Sequence, residues 1–590
     1  MNMSLIRLLR FLQNHKRGAV VFVTRLVLMA TLVFSASQHA LATGFAPVKR
    51  INECAISIDK SLAAVSTTKD EYGLTPPIIT QEVVPHTGPS KALLDPVIKR
   101  AMDLKLYPDF KWLADLTPRR HSAYQQAQVN REARLIENEQ GIEEATRYLI
   151  EMNYEDHGEL LTIDHPLLKP KFTVDNPEYQ GIVEHIERML AKLFKLTPTQ
   201  TTSSLIPLPH PIGIAAGRFT EAYGWDPRFI VEYLLKTGRS ALVRGMIEND
   251  LYLIRTYGLK PNANRDYYLS RSQPPVLTEM IRLYLDHERA GQPLTAGMKA
   301  WLAKDVYPVV KSDYQQFWMN PETRFDRNTG LNKTWDDENT PRPERHSSDN
   351  EEKLGKTCRD VRAACETGED FTDAHEGEAT NVAGIMLNSM LYKFEGDLRW
   401  MALALENPRE ASILASAMRR RFVAINTHLY DSATKTFYNY NLRTRKIIPV
   451  ITANSFLPLV YGFATPEQAA GVMSHLPEIE RAGGVMGSNV VSGHQWDAPY
   501  VFPVHISFAV RGMNRYGYTV EAKRVAQNWV AGTTRVFKAT GRILEKMDAV
   551  RADAPIETGN KYPTQDGFLW TNGVFMWLVT DVLNIELKPR

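Results

Sequence analysis

Cysteine is scarce in this chain: only Cys54, Cys358 and Cys365 occur among its 590 residues. A framework of several disulfides is therefore excluded, even for an exported protein. If residues 358 to 365 form a helix, two turns separate the last two sulfur atoms by roughly 10 Å of rise, which is too far for a bridge. An irregular segment would permit that bridge.

The chain also lacks a strong charge of either sign, since its formal net charge is +3. The first 42 residues contain five cationic side chains and no acidic one. They are Arg7, Arg10, Lys16, Arg17 and Arg25. Without them the remaining chain is slightly acidic, so the sequence predicts no nucleic-acid partner. A hydrophobic content of 44% is sufficient for a large core.

No second apolar segment that could span a membrane follows the one near residue 30. That segment, Leu26–Phe34, is followed by Ala40-Leu41-Ala42, which is typical of a signal peptide cut after Ala42. The alternative is a membrane anchor over Val20–Phe34, but Arg25 inside it makes a poor span. We therefore expect a periplasmic or secreted protein with no stable membrane span after cleavage.

Alternation between strands and helices is absent, and helical signals recur from about residue 90 onward. We expect a signal peptide over 1–42 and an N-terminal extension over 43–88, where prolines are frequent and periodicity is weak. Residues 89–590 are expected to form one all-α domain. Successive helices joined by long loops favour a helical barrel for this domain.

Local signals place several helices and one hairpin. Residues 277 to 284 carry apolar side chains on one helical face, and residues 229 to 236 are expected to form a helix that ends near Gly238. Asn407-Pro408 and Thr465-Pro466 each combine a capping residue with proline at the first helical position. Tyr430–Tyr438 has a polar turn between aromatic residues, which predicts a short hairpin.

The segment Arg218-Phe219-Thr220-Glu221-Ala222-Tyr223-Gly224-Trp225-Asp226 combines a cation, two carboxylates and aromatic rings. Sugars bind such mixtures, because their hydroxyls need charged hydrogen-bonding groups and their C–H faces need aromatic planes. The alternative is a helix start with Asp226 as its cap and Trp225 buried in the core. A polar loop over Pro261–Pro275 follows, and its two final prolines would hold Arg271 in a set orientation.

Three segments together resemble the trehalases. They are Ala215–Asp226, Gln495-Trp496-Asp497-Ala498-Pro499 and Asp566–Val574. The resemblance covers roughly residues 90 to 585. It implies an (α/α)6 toroid with a sugar pocket at one end. The implied activity is the hydrolysis of α,α-trehalose to two glucose molecules with inversion at the attacked carbon.

The resemblance also implies the site residues. It places the general acid at Asp370 and the general base at Glu545, with the acid protonated and the base ionised before reaction. The implied substrate-binding residues are Arg218, Trp225, Asp226, Asn262, Arg271, Ser272, Gln273, Arg342, Pro343, Glu344, Gly368, Gln495, Trp496 and Asp497.

No cofactor or metal is expected. Asp373, His375, Glu376 and Glu378 lie close together in sequence, but their spacing fits no standard metal site and favours an acidic, solvated loop. The expected partner is a small disaccharide substrate, and we expect a monomer.

The sequence departs from the family pattern at three places. One is Glu557–Tyr562, which replaces the family's glycine-rich run near the C-terminus, so the closure of a lid there is not expected to follow the family. The family usually has Trp immediately before the acid, where this chain has Glu369, and the residues after Pro499 also differ. Glu369 could raise the pKa of Asp370 by charge repulsion, or the lost aromatic could open the site to water. Two alternatives to a trehalase follow. One is a related (α/α)6 glycosidase acting on another small α-glucoside, and the other is a non-catalytic trehalose-binding protein.

Overall fold

The structure is a computed structural model that describes residues 69–86, 95–107, 109–155, 160–345, 349, 355–551 and 564–590. The predicted signal peptide over 1–42 lies outside the described residues, as does most of the predicted extension over 43–88. The segment Glu557–Tyr562 also lies outside them. None of the helices in the described ranges is both long and apolar enough to cross a lipid bilayer.

Helices dominate the described residues. The α-helices, numbered in chain order, are α1 Pro96–Asp103, α2 Phe110–Asp115, α3 Ala123–Gln140, α4 Ile142–Asn153, α5 Gln180–Leu193, α6 Val231–Lys236, α7 Ser240–Tyr257, α8 Leu277–Glu288, α9 Ala296–Trp301, α10 Tyr307–Ser312, α11 Cys358–Glu366, α12 Ile385–Ala404, α13 Pro408–His428, α14 Leu457–Val460, α15 Pro466–Ser474, α16 Leu476–Ile479, α17 Pro503–Arg515, α18 Thr519–Thr540 and α19 Leu569–Trp577. Helices α9 and α10 are joined by a π-helical stretch over Leu302–Val306, and a second one over Asp313–Trp318 follows α10.

The described helices form a closed ring. Helices α6, α8, α12, α14, α17 and α19 each contact the next, and α19 returns to contact α6. Outer helices pack against this inner ring: α7 contacts α6 and α8, α10 contacts α12, α13 contacts α12, α18 contacts α17, and α5 contacts α19. Helix α15 follows α14 along the chain as the sixth outer helix. This is the (α/α)6 toroid that the family resemblance implied, so the predicted fold class is confirmed.

The described strands are short and pair as local hairpins or small antiparallel sheets. They are β1 Thr117–Pro118, β2 Tyr154–Glu155, β3 Leu161–Thr162, β4 Phe172–Val174, β5 Phe194–Leu196, β6 Ile212–Gly213, β7 Phe325–Asp326, β8 Leu331–Asn332, β9 Val382–Ala383, β10 Tyr430–Asp431, β11 Thr436–Phe437, β12 Asn439–Asn441, β13 Lys446–Ile448, β14 Glu480–Arg481, β15 Gly484–Val485, β16 Tyr500–Val501, β17 Met547–Asp548 and β18 Leu587–Pro589. The pairing of β10 with β11 is the hairpin predicted from the sequence.

Helix ends follow the capping signals. The Asn407 side chain accepts a hydrogen bond from the Glu410 amide, 3.1 Å away, at the start of α13. Thr465 and Gln468 form a capping box at the start of α15. Gly238 has φ +68° just after α6, as expected for a helix end. Because α11 is helical, its two cysteines are too far apart for a bridge, and both are free.

The described part of the predicted extension, residues 69–86, lies against the toroid. Lys69 pairs with Glu288 at the end of α8 at 2.6 Å, and the Tyr72 hydroxyl donates to Asp305 at 2.8 Å. The His86 Nε2 atom lies 3.1 Å from Asp266. The domain boundaries themselves stay a prediction.

Candidate active site

The ring topology brings distant loops to one end of the toroid. In a toroid of paired helices, each loop that runs from an outer helix to the next inner helix emerges at the same end. The loops that precede α6, α8, α12, α17 and α19 all contribute to a single cavity. This cavity has a volume of about 820 Å³, including the space at its mouth. That volume is suitable for a small ligand.

Most of the predicted site residues line this cavity. From the predicted set these are Arg218, Trp225, Asp226, Asn262, Arg271, Gln273, Arg342, Glu344, Gly368, Asp370, Gln495, Trp496 and Glu545. The predicted acid and base therefore face one cavity, although 175 positions separate them in the sequence.

Ser272, Pro343 and Asp497 are not in the cavity wall, which differs from their predicted role. The Ser272 hydroxyl donates to the Lys260 carbonyl at 2.6 Å, and its amide donates to Glu366 at 2.7 Å. Pro343 begins the 3-10 turn Pro343–Arg345 and so places Glu344 rather than touching the cavity itself. These residues shape the loops that carry their neighbours.

Asp497 has no free oxygen for a ligand. Its carboxylate accepts hydrogen bonds from the hydroxyls of Thr372, Ser488 and Ser492, at 2.7, 2.6 and 2.5 Å, and from the Asp373 amide at 2.7 Å. It therefore joins the loop after the predicted acid to the loop that carries Trp496.

Three indoles form an aromatic wall. The ring of Trp225 lies 6.1 Å from that of Trp496 and 6.0 Å from that of Trp570. Trp496 in turn stacks on Phe502 at 3.7 Å with an interplanar angle of 7°, which fixes its orientation. Phe568 also lines the cavity and lies 4.6 Å from Trp570. Such planes suit the C–H faces of a sugar ring.

Gly368 is required by this wall. Its φ is +79°, and a Cβ atom there would lie 2.8 Å from the Trp225 ring and 3.2 Å from Pro274. The backbone conformation alone disfavours a side chain by roughly 1–2 kcal/mol.

Replacing Gly368 by Ala is therefore expected to lower the free energy of unfolding by more than that backbone cost and to displace the Trp225 ring from the cavity wall. Urea unfolding measures the first effect, and a raised KM measures the second. Gly493 also has a positive φ but nothing within 4 Å of its Cβ position, so Gly493→Ala is the matched control. Equal effects of the two changes would contradict the role assigned to Gly368.

The cavity arginines are held by buried carboxylates. Arg271 donates to Asp336 at 3.2 Å and to Glu344 at 3.1 Å. Arg342 pairs with Asp349 at 2.7 Å and donates to the Cys365 sulfur at 3.0 Å. These partners fix both guanidinium planes before any ligand arrives, so little side-chain entropy is lost on binding.

Arg218 is fixed in a different way, nearer the surface. It pairs with Asp109, and its guanidinium lies 5.3 Å from the ring of Phe219. Asp109 also caps helix α2, which carries Lys111 into the same cavity wall. A segment far upstream of the recognised motifs thus completes one side of the site.

Several buried polar atoms of the cavity residues have no hydrogen-bond partner within the described protein. They are Asp226 Oδ1, Arg271 Nε, Glu344 Oε2, Trp496 Nε1 and Glu545 Oε2. Unpaired buried polar atoms are costly and rare, so their concentration around one cavity indicates a polar ligand that would satisfy them. A molecule with many hydroxyls fits this pattern.

Asp226 does not cap a helix, which was the alternative to its site role. It is the first residue of the 3-10 turn Asp226–Phe229, and the cap position of that turn is Trp225. Burial, together with the charge of Glu545, raises the pKa of Asp226 to about 8, and Lys260 opposes this shift. Asp226 is therefore protonated at neutral pH and can donate a hydrogen bond.

The predicted acid, Asp370, is half-buried in the cavity wall. Burial raises its pKa to about 6 against the opposing charges of Arg342 and Arg271, while Glu545 adds to the rise. Glu369 turns away from the cavity, and burial is the largest cause of the raised pKa of Asp370. Charge repulsion from Glu369, one of the two effects considered for this departure, is therefore not the main cause.

Glu545 is a buried loop residue rather than a surface helix residue paired with its neighbour. Its amide donates to the Gln565 carbonyl at 3.1 Å, and its carbonyl accepts from the Trp570 indole at 3.3 Å. Lys546 Nζ lies 3.8 Å from its carboxylate.

Gln495 connects the acid to the neighbour of the base. Its side-chain nitrogen donates to the Asp370 carbonyl at 2.5 Å, and its oxygen accepts from Lys546 Nζ at 2.6 Å. Gln495 lines the cavity as predicted, but its side-chain nitrogen and its side-chain oxygen each already bond to a protein group. It therefore orders the two sides of the site relative to each other.

Nine further residues of the wall are not among the predicted site residues, namely Lys111, Ala215, Phe219, Tyr223, Tyr268, Arg345, Cys365, Phe568 and Trp570. Tyr223 and Trp570 lie inside recognised motifs, and that position was the sequence signal that could have identified them as wall residues. Tyr268 lies in the predicted polar loop and meets Tyr223 through their hydroxyls, 3.2 Å apart. Lys111 has no comparable signal, because only the packing of α2 brings it to the site.

Comparison with known proteins agrees with this geometry. The trehalase family model matches residues 99–582. The periplasmic trehalase of Xanthomonas axonopodis pv. citri (strain 306) is 33% identical over 430 residues, which cover 67% of this chain and 72% of that relative. The chain belongs to the trehalase family.

Other members of the trehalase family extend the similarity. The periplasmic trehalase of Escherichia coli (strain SMS-3-5 / SECEC) is 28% identical over 541 residues, which cover 87% of this chain and 89% of that relative. Among solved structures, the neutral trehalase of Saccharomyces cerevisiae matches with a TM-score of 0.55 and 26% identity. That match covers 66% of this chain and 76% of the yeast chain. The toroid and its cavity are thus those of a trehalase-family glycoside hydrolase.

Proposed function

We propose that this protein hydrolyses α,α-trehalose to two glucose molecules, with Asp370 as general acid and Glu545 as general base. The observation that carries the proposal is the meeting of these two carboxyls in one cavity with opposite surroundings. Burial raises the pKa of Asp370 to about 6, whereas Glu545 has the ammonium of Lys546 at 3.8 Å. Inverting glycosidases use such a pair of carboxyls, one as the acid and the other as the base.

In the proposed reaction, Glu545 removes a proton from a water molecule as that water attacks the anomeric carbon of one glucose. Asp370 donates its proton to the bridging oxygen, the bond between that oxygen and the attacked carbon breaks, and the second glucose leaves. The attacked glucose is released as the β-anomer and the departing glucose as the α-anomer. Glu545 then returns its proton to solvent and Asp370 regains one.

The other cavity groups bind and orient the sugar. The indoles of Trp225, Trp496 and Trp570 supply planes for its C–H faces. Arg271 and Glu344, whose unpaired Nε and Oε2 atoms are a donor and an acceptor, suit its hydroxyls. The protein fixes the charges and orientations of these groups before the sugar binds. No free energy is then needed to arrange them during the reaction, which lowers the activation barrier.

The test is hydrolysis followed by NMR of the anomers at early times. The purified protein is expected to release glucose from trehalose, with α- and β-glucose in equal amounts before mutarotation. Release of α-glucose alone would contradict inversion. In a panel of α-linked disaccharides, a preference for a sugar other than trehalose would contradict the substrate assignment. Binding of trehalose in calorimetry without any hydrolysis would contradict catalysis.

The proposed location is the periplasm or outside the cell. The curated relatives from Xanthomonas and Escherichia coli are named periplasmic trehalases, which supports this location. Fractionation of the native host measures it, and activity confined to the cytoplasmic fraction would contradict it.

The pH dependence of kcat/KM follows from the pKa of Asp370. Its pKa is raised to about 6, so the proton that catalysis needs is present below pH 6 and is lost as the pH rises through that value. We expect kcat/KM to decline above about pH 6. A decline that begins only near pH 8 would instead indicate Asp226, whose pKa is about 8.

A further inference from the structure

Glu369 and Asp370 are adjacent in sequence but face two different cavities. Asp370 lines the sugar cavity, whereas Glu369 lines a second, more enclosed cavity of about 440 Å³ behind it. Glu369 is buried, and its amide donates to the Thr367 hydroxyl at 3.0 Å. The loop between α11 and α12 therefore presents one carboxyl on each side of its backbone.

The Glu369 carboxyl is held by two residues that belong to the inner ring. One oxygen lies 2.8 Å from His505 Nε2, and the other accepts from the Asn454 side-chain nitrogen at 2.8 Å. His505 is on α17, and Asn454 is in the 3-10 turn that leads directly into α14. Both residues are fully or almost fully buried. Glu369 thus ties the loop to two neighbouring inner elements.

His505 depends on Glu369 for its orientation. Its Nδ1 atom has no hydrogen-bond partner within the described protein, so the bond to Glu369 is the one that fixes the ring. The ring also packs edge-on against Trp496, 5.3 Å away, which is part of the sugar cavity wall. A change at Glu369 would therefore alter the second cavity directly and the wall of the sugar cavity through His505 and Trp496.

The peptide of Asp370 is held from two directions. Gln495 donates to the Asp370 carbonyl at 2.5 Å on the cavity side, while the neighbouring Glu369 side chain is anchored on the far side. A general acid must be placed to a fraction of an ångström, and a displacement of about 1 Å can cost about 100-fold in rate. Buried hydrogen bonds to rigid elements supply such placement.

We propose that Glu369 is a positioning residue for the general acid Asp370, acting through its buried hydrogen bonds to His505 and Asn454. The inference rests on the proposed function, since it assigns a role relative to the proposed acid. Glu369 touches no reacting atom. It fixes the loop so that the Asp370 carboxyl meets the bridging oxygen of the sugar.

The test compares two substrates in Glu369→Ala and Glu369→Gln. Trehalose requires a proton on its leaving glucose, whereas α-glucosyl fluoride has a leaving group with little need for one. We expect kcat for trehalose to fall about 100-fold in Glu369→Ala with KM nearly unchanged, and turnover of the fluoride to be largely retained. Glu369→Gln keeps the volume and one acceptor, so a smaller loss is expected.

A matched control removes a different buried carboxylate of the inner ring. Glu395 on α12 pairs with Arg421 at 2.8 Å, and neither residue lines either cavity, so Glu395→Gln tests the general effect of losing a buried charge. We expect Glu395→Gln to lower Tm without separating the two substrates. His505→Ala should reproduce the selective loss, and adding it to Glu369→Ala should have little further effect.

Equal losses on the two substrates in Glu369 variants that keep their Tm would overturn the inference, as would an unchanged kcat for trehalose. If Glu369→Ala does not fold, Glu369→Gln and His505→Ala decide by the same comparison. Failure of the wild-type protein to cleave trehalose would instead overturn the proposed function. The two failures are therefore distinguishable.

Discussion

Replacing Asp370 by Asn is expected to lower kcat for trehalose by about 10³-fold while KM changes little. Asparagine has nearly the same shape as aspartate but cannot supply a proton, so the second glucose would have to leave as an alkoxide. General acid catalysis contributes typically 10² to 10⁴-fold, which sets the size of the loss. Initial rates of glucose release, measured at a pH below 6 where Asp370 of the wild type is protonated, give the comparison.

The control for this prediction is another acid of the same loop. Asp373 is three positions downstream and exposed, and it does not line the sugar cavity, so Asp373→Asn should leave kcat unchanged. Turnover of α-glucosyl fluoride should survive in Asp370→Asn for the reason already given for Glu369. Loss of both substrates to the same degree, or wild-type activity on trehalose, would remove Asp370 from the role of acid.

The toroid could be inferred in part from local signals. Asn407-Pro408 and Thr465-Pro466 mark helix starts because their capping bonds form within four residues and do not depend on the rest of the fold. The number of helix pairs is different, since it is set by the contact of α19 with α6, which closes the ring across most of the chain. No local pattern encodes that closure, and the family resemblance supplied it.

The site was predictable where its residues stand in motifs. Trp225 and Gln495 each lie in a recognised motif, and both line the cavity. Ser272 lies next to the cavity residues Arg271 and Gln273, and Asp497 lies next to Trp496, but both point elsewhere because their side chains are hydrogen-bonded to neighbouring loop residues. Lys111 could not be found from the sequence, since helix α2 reaches the cavity through its packing against the turn Pro343–Arg345.

Glu369 illustrates what a sequence departure alone cannot decide. A carboxyl immediately before the acid could act through its charge, or the loss of an aromatic could act through water entry. The structure shows a third arrangement, in which Glu369 is buried against His505 and Asn454 on the far side of the backbone. The direction of one side chain, which only the surrounding packing determines, separates these alternatives.

Replacing Glu545 by Gln is expected to lower kcat by about 10³-fold or more, because glutamine cannot accept the proton of the attacking water. The matched control is Asp548→Asn, three residues further along, since Asp548 accepts from the Val550 and Arg551 amides at 2.8 and 2.9 Å and does not line the cavity.

The smaller variant Glu545→Ala permits a sharper test of the same role. Azide is a nucleophile that has no proton to lose, so it needs no base, and it is small enough to enter the space left by the carboxylate. Added azide should restore cleavage of trehalose and yield β-glucosyl azide together with one glucose, with Asp370 still protonating the leaving oxygen. The α-anomer of the azide, or rescue of Asp370→Asn but not of Glu545→Ala, would show that Glu545 is not the base. The stereochemistry of one product would thus identify which face of the sugar each carboxyl serves.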